Sequence, residues 1–336
     1  MALLDVRGLE VEFDTPEGVV RAVTGLNFSL EPGEALAIVG ESGSGKSQMM
    51  MAIMGLLAEN GRARGSARFQ GEELMGMKAA ELNRIRGSKI AMIFQDPMTS
   101  LNPYLNIETQ MVEVLRHHQG MKRSEARAHA VEMLNAVRIP DAEERIRQYP
   151  HEYSGGMQQR VMIAMGLLCE PDLLIADEPT TALDVTVQAQ IMQLMRELSE
   201  KTRMSLIMIT HDLAVVAEVA DRIMVMYAGE VVETGTADQI FYAPCHPYTQ
   251  GLLASVPRLD RLDTDDLHAI PGNPPNLLEL PDGCRFRERC SQASAACLER
   301  PPVWETEDGR SSRCVLRPEG AVMREKAAGA AAEEAE

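Results

Sequence analysis

Hydrophobic and polar positions alternate through residues 3–13 and 22–30, and the second run ends at a turn over residues 31–34. This period of two predicts two half-buried strands that pair antiparallel. The next run, residues 35–39, is continuously apolar and leads through a glycine-rich loop into a methionine-rich helix that we expect to end near Glu59. A buried strand, a loop and a helix in this order indicate an α/β fold.

Helical spacing dominates residues 105–148, where Ser124 is a suitable N-cap for one of the predicted helices. Two further buried strands, residues 173–176 and 205–209, flank a helix predicted over residues 185–201. A parallel sheet therefore resumes after a helical insertion.

These patterns predict an α/β domain over residues 1–243, with an antiparallel β subdomain and a helical subdomain at about residues 96–165. Beyond it prolines are frequent, regular periodicity is lost, and four of the six cysteines occur. We expect a small irregular appendage over residues 244–320, followed by a low-complexity, disordered tail over residues 321–336.

The chain has 336 residues, of which 45% are hydrophobic, and this is enough for one large globular domain with an appendage. Its 33 lysines and arginines are outnumbered by 50 aspartates and glutamates, and the formal net charge of −17 argues against a nucleic-acid-binding surface. The longest apolar runs are about half of the roughly 18 residues that a membrane-spanning helix needs. Asp5, Arg7 and Glu10 interrupt any signal-peptide core, so we expect a cytoplasmic chain whose thiols are mostly reduced or act as ligands.

The glycine-rich loop fits the phosphate-binding pattern G-x-x-x-x-G-K-[ST] and lies between a predicted strand and a predicted helix. Backbone N–H groups of such a loop surround a β-phosphate, Lys46 reaches the β- and γ-phosphate oxygens, and the Ser47 hydroxyl is a Mg²⁺ ligand. A dinucleotide-binding G-x-G-x-x-G loop is excluded because its third glycine would fall at Gln48. We therefore expect a nucleotide to be bound by Gly40, Ser42, Gly43, Ser44, Gly45, Lys46 and Ser47.

Two carboxylates follow the buried strand predicted over residues 173–176, as in a Walker B element. Asp177 is placed to hold Mg²⁺ through water, and Glu178 is placed to accept a proton from the attacking water. The two motifs together predict a nucleotide hydrolase.

A second anion site is predicted where an apolar helix begins after residue 154. Backbone N–H groups at a helix N-terminus favour anions, and a serine hydroxyl adds a donor. The residues of this site are Ser154, Gly155, Gly156, Met157 and Gln158.

The order of these motifs, together with Gln95, residues 181–184 and His211, resembles the ATP-binding subunits of ABC transporters. In that family ATP is held between the phosphate-binding loop of one subunit and the signature serine and glycines of another, so hydrolysis requires a dimer. The resemblance implies that Gln95 contacts Mg²⁺ and the attacking water, that His211 contacts the γ-phosphate, and that Asp184 lies in a loop crossing the dimer interface. It also implies that Phe13 packs against adenine, with core packing as the alternative for this residue.

Two longer stretches, residues 93–103 and 246–250, resemble the dipeptide/oligopeptide/nickel importer branch of this family, most closely its dipeptide-importer ATPase subunits. The signature departs from the common L-S-G-G-Q form at Tyr153 and Met157. The resemblance implies an ATPase at the cytoplasmic face of the membrane that drives import of dipeptides or short peptides. Its implied partners are a second related ATPase subunit, two permeases and an extracytoplasmic peptide-binding protein, without nucleic acid. Nickel or longer peptides are alternative substrates, and a soluble ABC ATPase acting on ribosomes or DNA is an alternative of another class.

Four cysteines, Cys284, Cys290, Cys297 and Cys314, lie in the predicted appendage at spacings unlike the C-x₂-C pairs of a zinc ribbon. An iron–sulfur cluster accepts thiolates from varied spacings, and the arginines at positions 285, 287 and 289 could offset thiolate charge. Dipeptide-importer ATPases with a similar array imply a [4Fe–4S] cluster. We therefore expect three cofactors: ATP, Mg²⁺ and this cluster. Zinc, a disulfide or unligated thiols are the alternatives for the cysteines.

Overall fold

The computed structural model describes residues 1–95, 100–180, 183–217, 219–255, 269–316 and 322–323. Parts of several predicted features lie outside these ranges: residues 96–99 of the stretch 93–103 and of the helical subdomain, residues 181–182 of the interface loop, residues 256–268 and 317–320 of the appendage, and nearly all of the tail. Of the tail, residues 322–323 are described, and they form a short strand rather than disordered chain.

An antiparallel sheet is built from the first strands of the chain. β1 (Leu4–Thr15) pairs antiparallel with β2 (Gly18–Leu30), as the alternating pattern predicts. On its other side β1 pairs with β4 (Gly61–Phe69), which in turn pairs with β5 (Glu72–Glu73). The predicted antiparallel β subdomain is therefore present.

The central sheet carries the parallel strands and lies between two cores. Its parallel strands are β3 (Ala35–Val39), β6 (Ile90–Ile93), β7 (Leu173–Asp177), β8 (Ser205–Thr210) and β9 (Arg222–Tyr227). Its antiparallel strands are β10 (Glu230–Thr236), β11 (Val303–Glu305), β12 (Ser311–Arg313) and β13 (Val322–Met323). In the described part of the chain the order is β13-β11-β12-β10-β9-β3-β8-β7-β6. Strands buried on both faces explain why β3, β7 and β8 read as continuous apolar runs.

Helices cover both faces of this sheet and form the insertion before β7. They are α1 (Lys46–Ile53), α2 (Ala79–Ile85), α3 (Ile107–Gln119), α4 (Arg123–Ala136), α5 (Ala142–Arg145), α6 (Gly155–Leu167), α7 (Val185–Thr202), α8 (Leu213–Val216), α9 (Ala237–Tyr242) and α10 (Pro247–Ala254). Within the described ranges, no helix is both long enough and apolar enough to cross a membrane.

Two predicted helix limits differ from the structure. α1 ends at Ile53, short of Glu59, because Gly55 adopts a left-handed φ of +61° and breaks the helical path. α4 begins at Arg123 because the Glu125 carboxylate accepts the N–H of residue 122 and fixes an earlier start. Ser124 therefore lies inside the first turn and is not the N-cap.

Alternate residues of β3 point into different cores. Ala37 and Val39 belong to the core shared with α3, α4, α6 and α7, whereas Leu36 and Ile38 belong to the core shared with α1 and the antiparallel sheet. Both cores therefore meet at one strand, and the loop that follows this strand is held from both sides.

The segment after residue 243 is attached to the central sheet. β12 pairs with β10, and the fully buried carboxylate of Glu233 accepts hydrogen bonds from the backbone N–H groups of Cys245 (2.7 Å) and His246 (2.9 Å). Arg310 donates to the same carboxylate at 2.8 Å. The domain boundary between residues 243 and 244 stays a prediction. Strands from both sides of it, β10 and β12, pair in the same sheet.

Candidate nucleotide site

The loop between β3 and α1, residues 40–47, is named the P-loop below. At two of its positions only glycine fits: a side-chain carbon at Gly40 would lie 2.2 Å from the carbonyl oxygen of Met226, and one at Gly45 would lie 2.2 Å from that of Ala22. Gly45 is also the N-cap of α1, with φ +98°. The first N–H groups of α1 have no acceptor within the helix, so this end of α1 favours an anion.

Lys46 is buried at the start of α1. Its Nζ donates to the carbonyl oxygens of Gly40 (2.8 Å) and Glu41 (2.9 Å). Burial lowers the pKa of the Lys46 ammonium, and the nearby carboxylates of Glu178, Asp177 and Glu41 oppose this shift. The ammonium is therefore poorly hydrated, and a phosphate at the P-loop would supply the negative charge that stabilises it.

Ser47 and Asp177 form the pair that suits Mg²⁺. The Ser47 Oγ donates to Asp177 Oδ1 at 3.0 Å, at the end of β7. Burial raises the pKa of the Asp177 carboxyl, and the hydrogen bond from Ser47 opposes that shift. A hydroxyl and a carboxylate are hard oxygen ligands of the kind that Mg²⁺ prefers, so the residues present fit this ion.

Glu178, the residue after β7, joins two distant parts of the sequence. Its Oε2 accepts a hydrogen bond from Gln95 Nε2 (2.8 Å), and its Oε1 lies 3.1 Å from His211 Nδ1. Because a carboxylate can only accept, the second contact places a proton on Nδ1. Glu178 has a left-handed φ of +47°, an uncommon conformation that its N–H bond to the Ile209 carbonyl (2.8 Å) helps to hold.

The signature residues lie at the N-terminus of α6. Ser154 is the N-cap, and its hydroxyl accepts the Met157 N–H at 3.4 Å. Ser154 and Gly155 are exposed, and the space beside Gly155 is open. Gln158 is buried and donates to the Pro150 carbonyl oxygen at 2.9 Å, which holds the chain leading into the helix. Gly156 packs next to α7, so the second glycine faces protein while the first faces outward.

Asp184 and Phe13 each have local contacts within this chain. Asp184 is the N-cap of α7, and its Oδ1 accepts the Val187 N–H at 3.0 Å, while its own surface is exposed. Phe13 lies on β1, and its ring covers Gly61, where a side-chain carbon would approach the ring to 2.7 Å. Packing over Gly61 accounts for the half-buried state of Phe13, and contact with adenine stays a prediction.

Glu41, an unassigned position of the P-loop pattern, contacts the C-terminal segment. Its two carboxylate oxygens accept hydrogen bonds from Arg289 at 2.6 and 2.9 Å, and its backbone N–H donates to Tyr248 Oη at 2.9 Å. Sequence reasoning missed these contacts because Glu41 and Arg289 are 248 positions apart and no spacing rule connects them.

Two of the three arginines among the cysteines, Arg285 and Arg289, bind other groups than the thiols. Arg289 pairs with Glu41, and Arg285 donates to Thr24 Oγ1 at 3.0 Å and to the Ala228 carbonyl oxygen. Both side chains therefore connect the C-terminal segment to the body that holds the P-loop.

The expected [4Fe–4S] cluster is wrong. The four cysteines line one small cavity beside His246 and Phe286, but among the described residues no group of three or more His, Cys, Asp or Glu side chains is arranged to hold a metal ion. All six cysteines carry free thiols. Burial raises the pKa of Cys284 and of Cys290, and raises that of Cys314 to about 11. An apolar cavity favours neutral thiols, whereas metal ligation needs thiolates.

A cavity of about 860 Å³ lies away from the P-loop, between α7 and the first residues of β3 and β8. The strands begin at this edge, and the P-loop lies at the edge where they end. Its lining includes Gly33, Ala35, Arg196, Arg203, Leu206 and Asp221. Size alone therefore does not identify the nucleotide site.

Two family descriptions match the chain. Residues 23–181 match "ABC transporter", and residues 232–297 match "Oligopeptide/dipeptide transporter, C-terminal region". The first match contains the P-loop, the signature and the Asp177–Glu178 pair, and the second contains α10 and three of the four cysteines.

Curated relatives match over almost the whole chain. The oligopeptide transport ATP-binding protein OppD of Haemophilus influenzae is 58% identical, covering 94% of this chain and 98% of that protein. OppD of Escherichia coli is also 58% identical, over 93% of each chain. OppD of Bacillus subtilis is 53% identical over 91% of this chain and 86% of its own length.

Solved structures confirm the predicted fold class. The dimeric ATP-binding cassette MJ0796, in a post-hydrolysis state bound to ADP and Pi, has a TM-score of 0.63 and 29% identity, covering 70% of this chain and 98% of its own. CbiO1 from Clostridium perfringens, part of the ABC transporter complex cbiONQ, has a TM-score of 0.61 and 28% identity, over 72% and 91% of the two chains. The chain belongs to the ABC transporter family, as an ATP-hydrolysing ATP-binding subunit of the oligopeptide importer type.

Proposed function

We propose that this chain binds MgATP at the P-loop, hydrolyses it with Glu178 as the general base, and thereby drives the import of short peptides. The observation that carries the proposal is the convergence of Gln95, Glu178 and His211 next to the Ser47–Asp177 pair. These five side chains supply the ligands, the proton acceptor and the orienting groups that phosphoryl transfer to water requires.

The proposed roles of the side chains rest on their contacts and on the family resemblance. Lys46 exchanges the carbonyl oxygens it now contacts for phosphate oxygens, where its charge stabilises the transition state. Bound Mg²⁺ neutralises phosphate charge, and Ser47 and Asp177 are the residues that would hold it. Gln95 orients the attacking water, and Glu178 accepts its proton at Oε1 or Oε2. His211 holds the Glu178 carboxylate and, by the family resemblance, contacts the γ-phosphate.

We propose that each ATP is completed by a second cassette. The exposed N-terminus of α6, with Ser154 and Gly155, is an anion-binding end that no described hydrogen bond joins to this chain's own P-loop. Two cassettes facing each other would bring each signature to the other's nucleotide. The MJ0796 cassette is a dimer in its ADP- and Pi-bound structure, and the second cassette here is proposed to be a related ATPase subunit rather than a second copy.

Matched substitutions test the composite site. Ser47→Ala should weaken Mg²⁺-dependent nucleotide binding at this chain's own P-loop, whereas Ser154→Ala should leave that binding intact and lower ATP hydrolysis only in the assembled transporter. Ser88→Ala, at a serine outside both motifs, is the control. Equal loss of binding from Ser47→Ala and Ser154→Ala would contradict the arrangement.

We propose that the chain attaches to the cytoplasmic face of the membrane through permeases that contact the region around Gln95. Phe94, which precedes Gln95 in the chain, is 38% exposed, and Tyr104 is 87% exposed, so both residues offer apolar surface to a partner. We propose residues 96–115, which follow Gln95, as the contact region; of these, residues 96–99 lie outside the described residues. Crosslinking of Tyr104 replaced by cysteine to permease loops tests the contact, and absence of crosslinks there with efficient crosslinks elsewhere would move it.

The transported substrate is proposed to be a short peptide, delivered by an extracytoplasmic binding protein. The relatives named above are oligopeptide transport proteins, while the sequence resembles dipeptide-importer subunits, so peptide length is the open variable. Uptake of a labelled tripeptide into cells, with unlabelled dipeptides, pentapeptides and Ni²⁺ as competitors, separates the possibilities. Absence of tripeptide uptake, together with Ni²⁺ uptake that depends on this subunit, would replace the peptide proposal with the nickel alternative.

A further inference from the structure

We infer that Arg289 and Tyr248 of the C-terminal segment are positioning residues for the P-loop, so that this segment sets the affinity of the nucleotide site. The inference rests on the nucleotide-binding role proposed for the P-loop. It concerns Glu41, whose side chain and backbone are both bound by residues that follow the ATPase core in sequence.

Arg289 binds the Glu41 carboxylate through both of its terminal nitrogens, at 2.6 and 2.9 Å. The Arg289 side chain is 5% exposed, and that of Glu41 is 27% exposed. The two-point contact fixes orientation as well as distance, because the planar guanidinium matches the carboxylate. Hydrogen bonding to Glu41 also raises the pKa of Arg289, so the guanidinium stays charged.

Arg289 is itself held firmly. Its Nε donates to the Pro271 carbonyl oxygen at 2.9 Å, and its guanidinium carbon lies 5.7 Å from the centre of the Tyr227 ring. Tyr227 ends β9, the strand next to β3 in the central sheet. The Arg289 side chain therefore contacts the C-terminal segment, the central sheet and the P-loop at the same time.

Tyr248 supplies the second attachment. It lies in α10 and is fully buried, and its Oη accepts the Glu41 N–H. The centre of its ring lies 4.6 Å from that of the Tyr227 ring and 5.3 Å from that of the Phe286 ring. Burial raises the pKa of this phenol, so the hydroxyl stays protonated. Both backbone groups of Glu41 are therefore bound: its N–H donates to Tyr248 Oη, and its carbonyl oxygen accepts a hydrogen bond from Lys46 Nζ.

Two effects on ATP follow from this geometry. The Glu41 carbonyl oxygen is one of the acceptors that hold the Lys46 ammonium before a nucleotide binds, so movement of Glu41 would change where this cation lies when ATP arrives. The Glu41 carboxylate also brings a negative charge to a loop that binds a triphosphate, and Arg289 neutralises it. Without Arg289 an unpaired carboxylate would repel the nucleotide.

A double-mutant cycle on MgATP affinity tests the inference in the full-length subunit. Arg289→Met should weaken MgATP binding about tenfold in the natural background, the scale expected for a lost charged hydrogen bond. In the Glu41→Gln background the same substitution should change affinity by no more than about twofold, because the carboxylate it neutralises is gone. Arg289→Lys, which keeps the charge and loses the two-point contact, should be intermediate.

Two further variants separate positioning from general destabilisation. Tyr248→Phe removes only the hydroxyl that accepts the Glu41 N–H and should weaken MgATP binding by about threefold to tenfold. Arg300→Met is the matched control, because Arg300 lies in the same segment and pairs with Glu230, which also lies 3.6 Å from Arg285. Arg300→Met should leave MgATP affinity unchanged even if it lowers the melting temperature.

The assembled transporter gives an independent readout. Arg289→Met should raise the KM for ATP and leave kcat within about twofold, because Arg289 is placed to hold the loop and not to touch reacting atoms. Equal effects of Arg289→Met with and without Glu41, or unchanged affinity in both Arg289→Met and Tyr248→Phe, would overturn the inference. If the unsubstituted subunit fails to bind MgATP, the proposed function fails instead, so the two failures are distinguishable.

Discussion

Titratable side chains gather in two regions, but in different states. One is the edge of the central sheet where β3, β6, β7 and β8 end, named the nucleotide edge below, and the other is the cavity lined by Cys284, Cys290, Cys297 and Cys314. At the nucleotide edge Glu178 faces Gln95 and His211, and the His211 side chain is 58% exposed. In the cavity Cys314 is buried beside apolar groups, and its pKa is raised to about 11. One region holds a carboxylate beside an exposed side chain, and the other holds a neutral thiol away from water.

The difference shows what a motif needs before it implies chemistry. A carboxylate at the end of a buried strand is useful to phosphoryl transfer because partners from other strand ends meet it there. A cysteine array is useful to a metal only if the thiolates converge and remain charged. Spacing in the sequence predicts well which side chains meet at strand ends. It predicts poorly whether thiolates converge and remain charged.

The largest expected effect is the loss of ATP turnover when the carboxylate at the nucleotide edge is replaced. Glu178→Gln should lower ATP turnover in the assembled transporter by about 10²- to 10⁴-fold, because it removes the proton acceptor while the amide still fits the same space. MgATP binding should be retained, since the P-loop is untouched. Turnover and nucleotide affinity measured on the same preparation check both parts.

The control for this substitution is Glu59→Gln, at an exposed glutamate outside the motifs. It should change neither quantity. ATP turnover near normal in Glu178→Gln would reject Glu178 as the base, and loss of binding in that variant would show that the carboxylate supports the nucleotide instead.

The second effect sharpens the description of the cysteine cavity. With a pKa of about 11, Cys314 carries roughly a few hundred times less thiolate at pH 7.5 than an ordinary cysteine, so alkylation should be at least about a hundredfold slower than in the urea-unfolded chain. Site-resolved mass spectrometry after timed iodoacetamide labelling measures this rate. Labelling of native Cys314 at the unfolded rate would show that the thiol is ionised or accessible.

Much of the nucleotide edge could be predicted because its chemistry is local in sequence. The P-loop, the Asp177–Glu178 pair and the signature each occupy a few consecutive residues that define a strand end or a helix start. Gln95 and His211 were placed through the family resemblance, and the structure brings both to Glu178. Their meeting follows from parallel strands that end at one edge.

The C-terminal segment could not be predicted in the same way because its contacts are distant. Proline-rich, irregular sequence predicts an appendage, yet β12 extends the central sheet and Arg289 reaches Glu41. Neither the strand pairing nor the ion pair has a periodicity or spacing that a single sequence displays. The cysteine array is the visible pattern in this segment, and it assigns the neighbouring arginines to the thiols, whereas Arg289 pairs with Glu41.

The third effect concerns the cation of the P-loop. Lys46→Ala should weaken MgATP binding by about 10- to 100-fold, because it removes a charged donor from a buried position next to the phosphates. Lys89→Ala, at a lysine outside the motifs, should have no effect. Isothermal titration with MgATP measures both, and full affinity in Lys46→Ala would remove Lys46 from the site.

The smallest effect tests burial at the edge of the cysteine cavity through pH. Burial lowers the pKa of His246 to about 4, while an unfolded histidine titrates near 6.5. Below pH 6.5 the unfolded chain therefore binds a proton that the native chain does not, and the free energy of unfolding falls until about pH 4. Between pH 7.5 and 5.5 this loss should be about 1.4 kcal/mol.

His246→Asn isolates this contribution, because the asparagine oxygen can replace Nδ1 as the acceptor for the Tyr248 N–H, a bond of 3.1 Å, and does not titrate. Urea unfolding at the two pH values should show a smaller pH dependence in His246→Asn than in the natural chain. His151→Asn, at an exposed histidine, should reproduce the natural dependence. An identical pH dependence in His246→Asn and the natural chain would mean that His246 is not held neutral. The apolar walls of the cavity would then not shield its imidazole from water or charge.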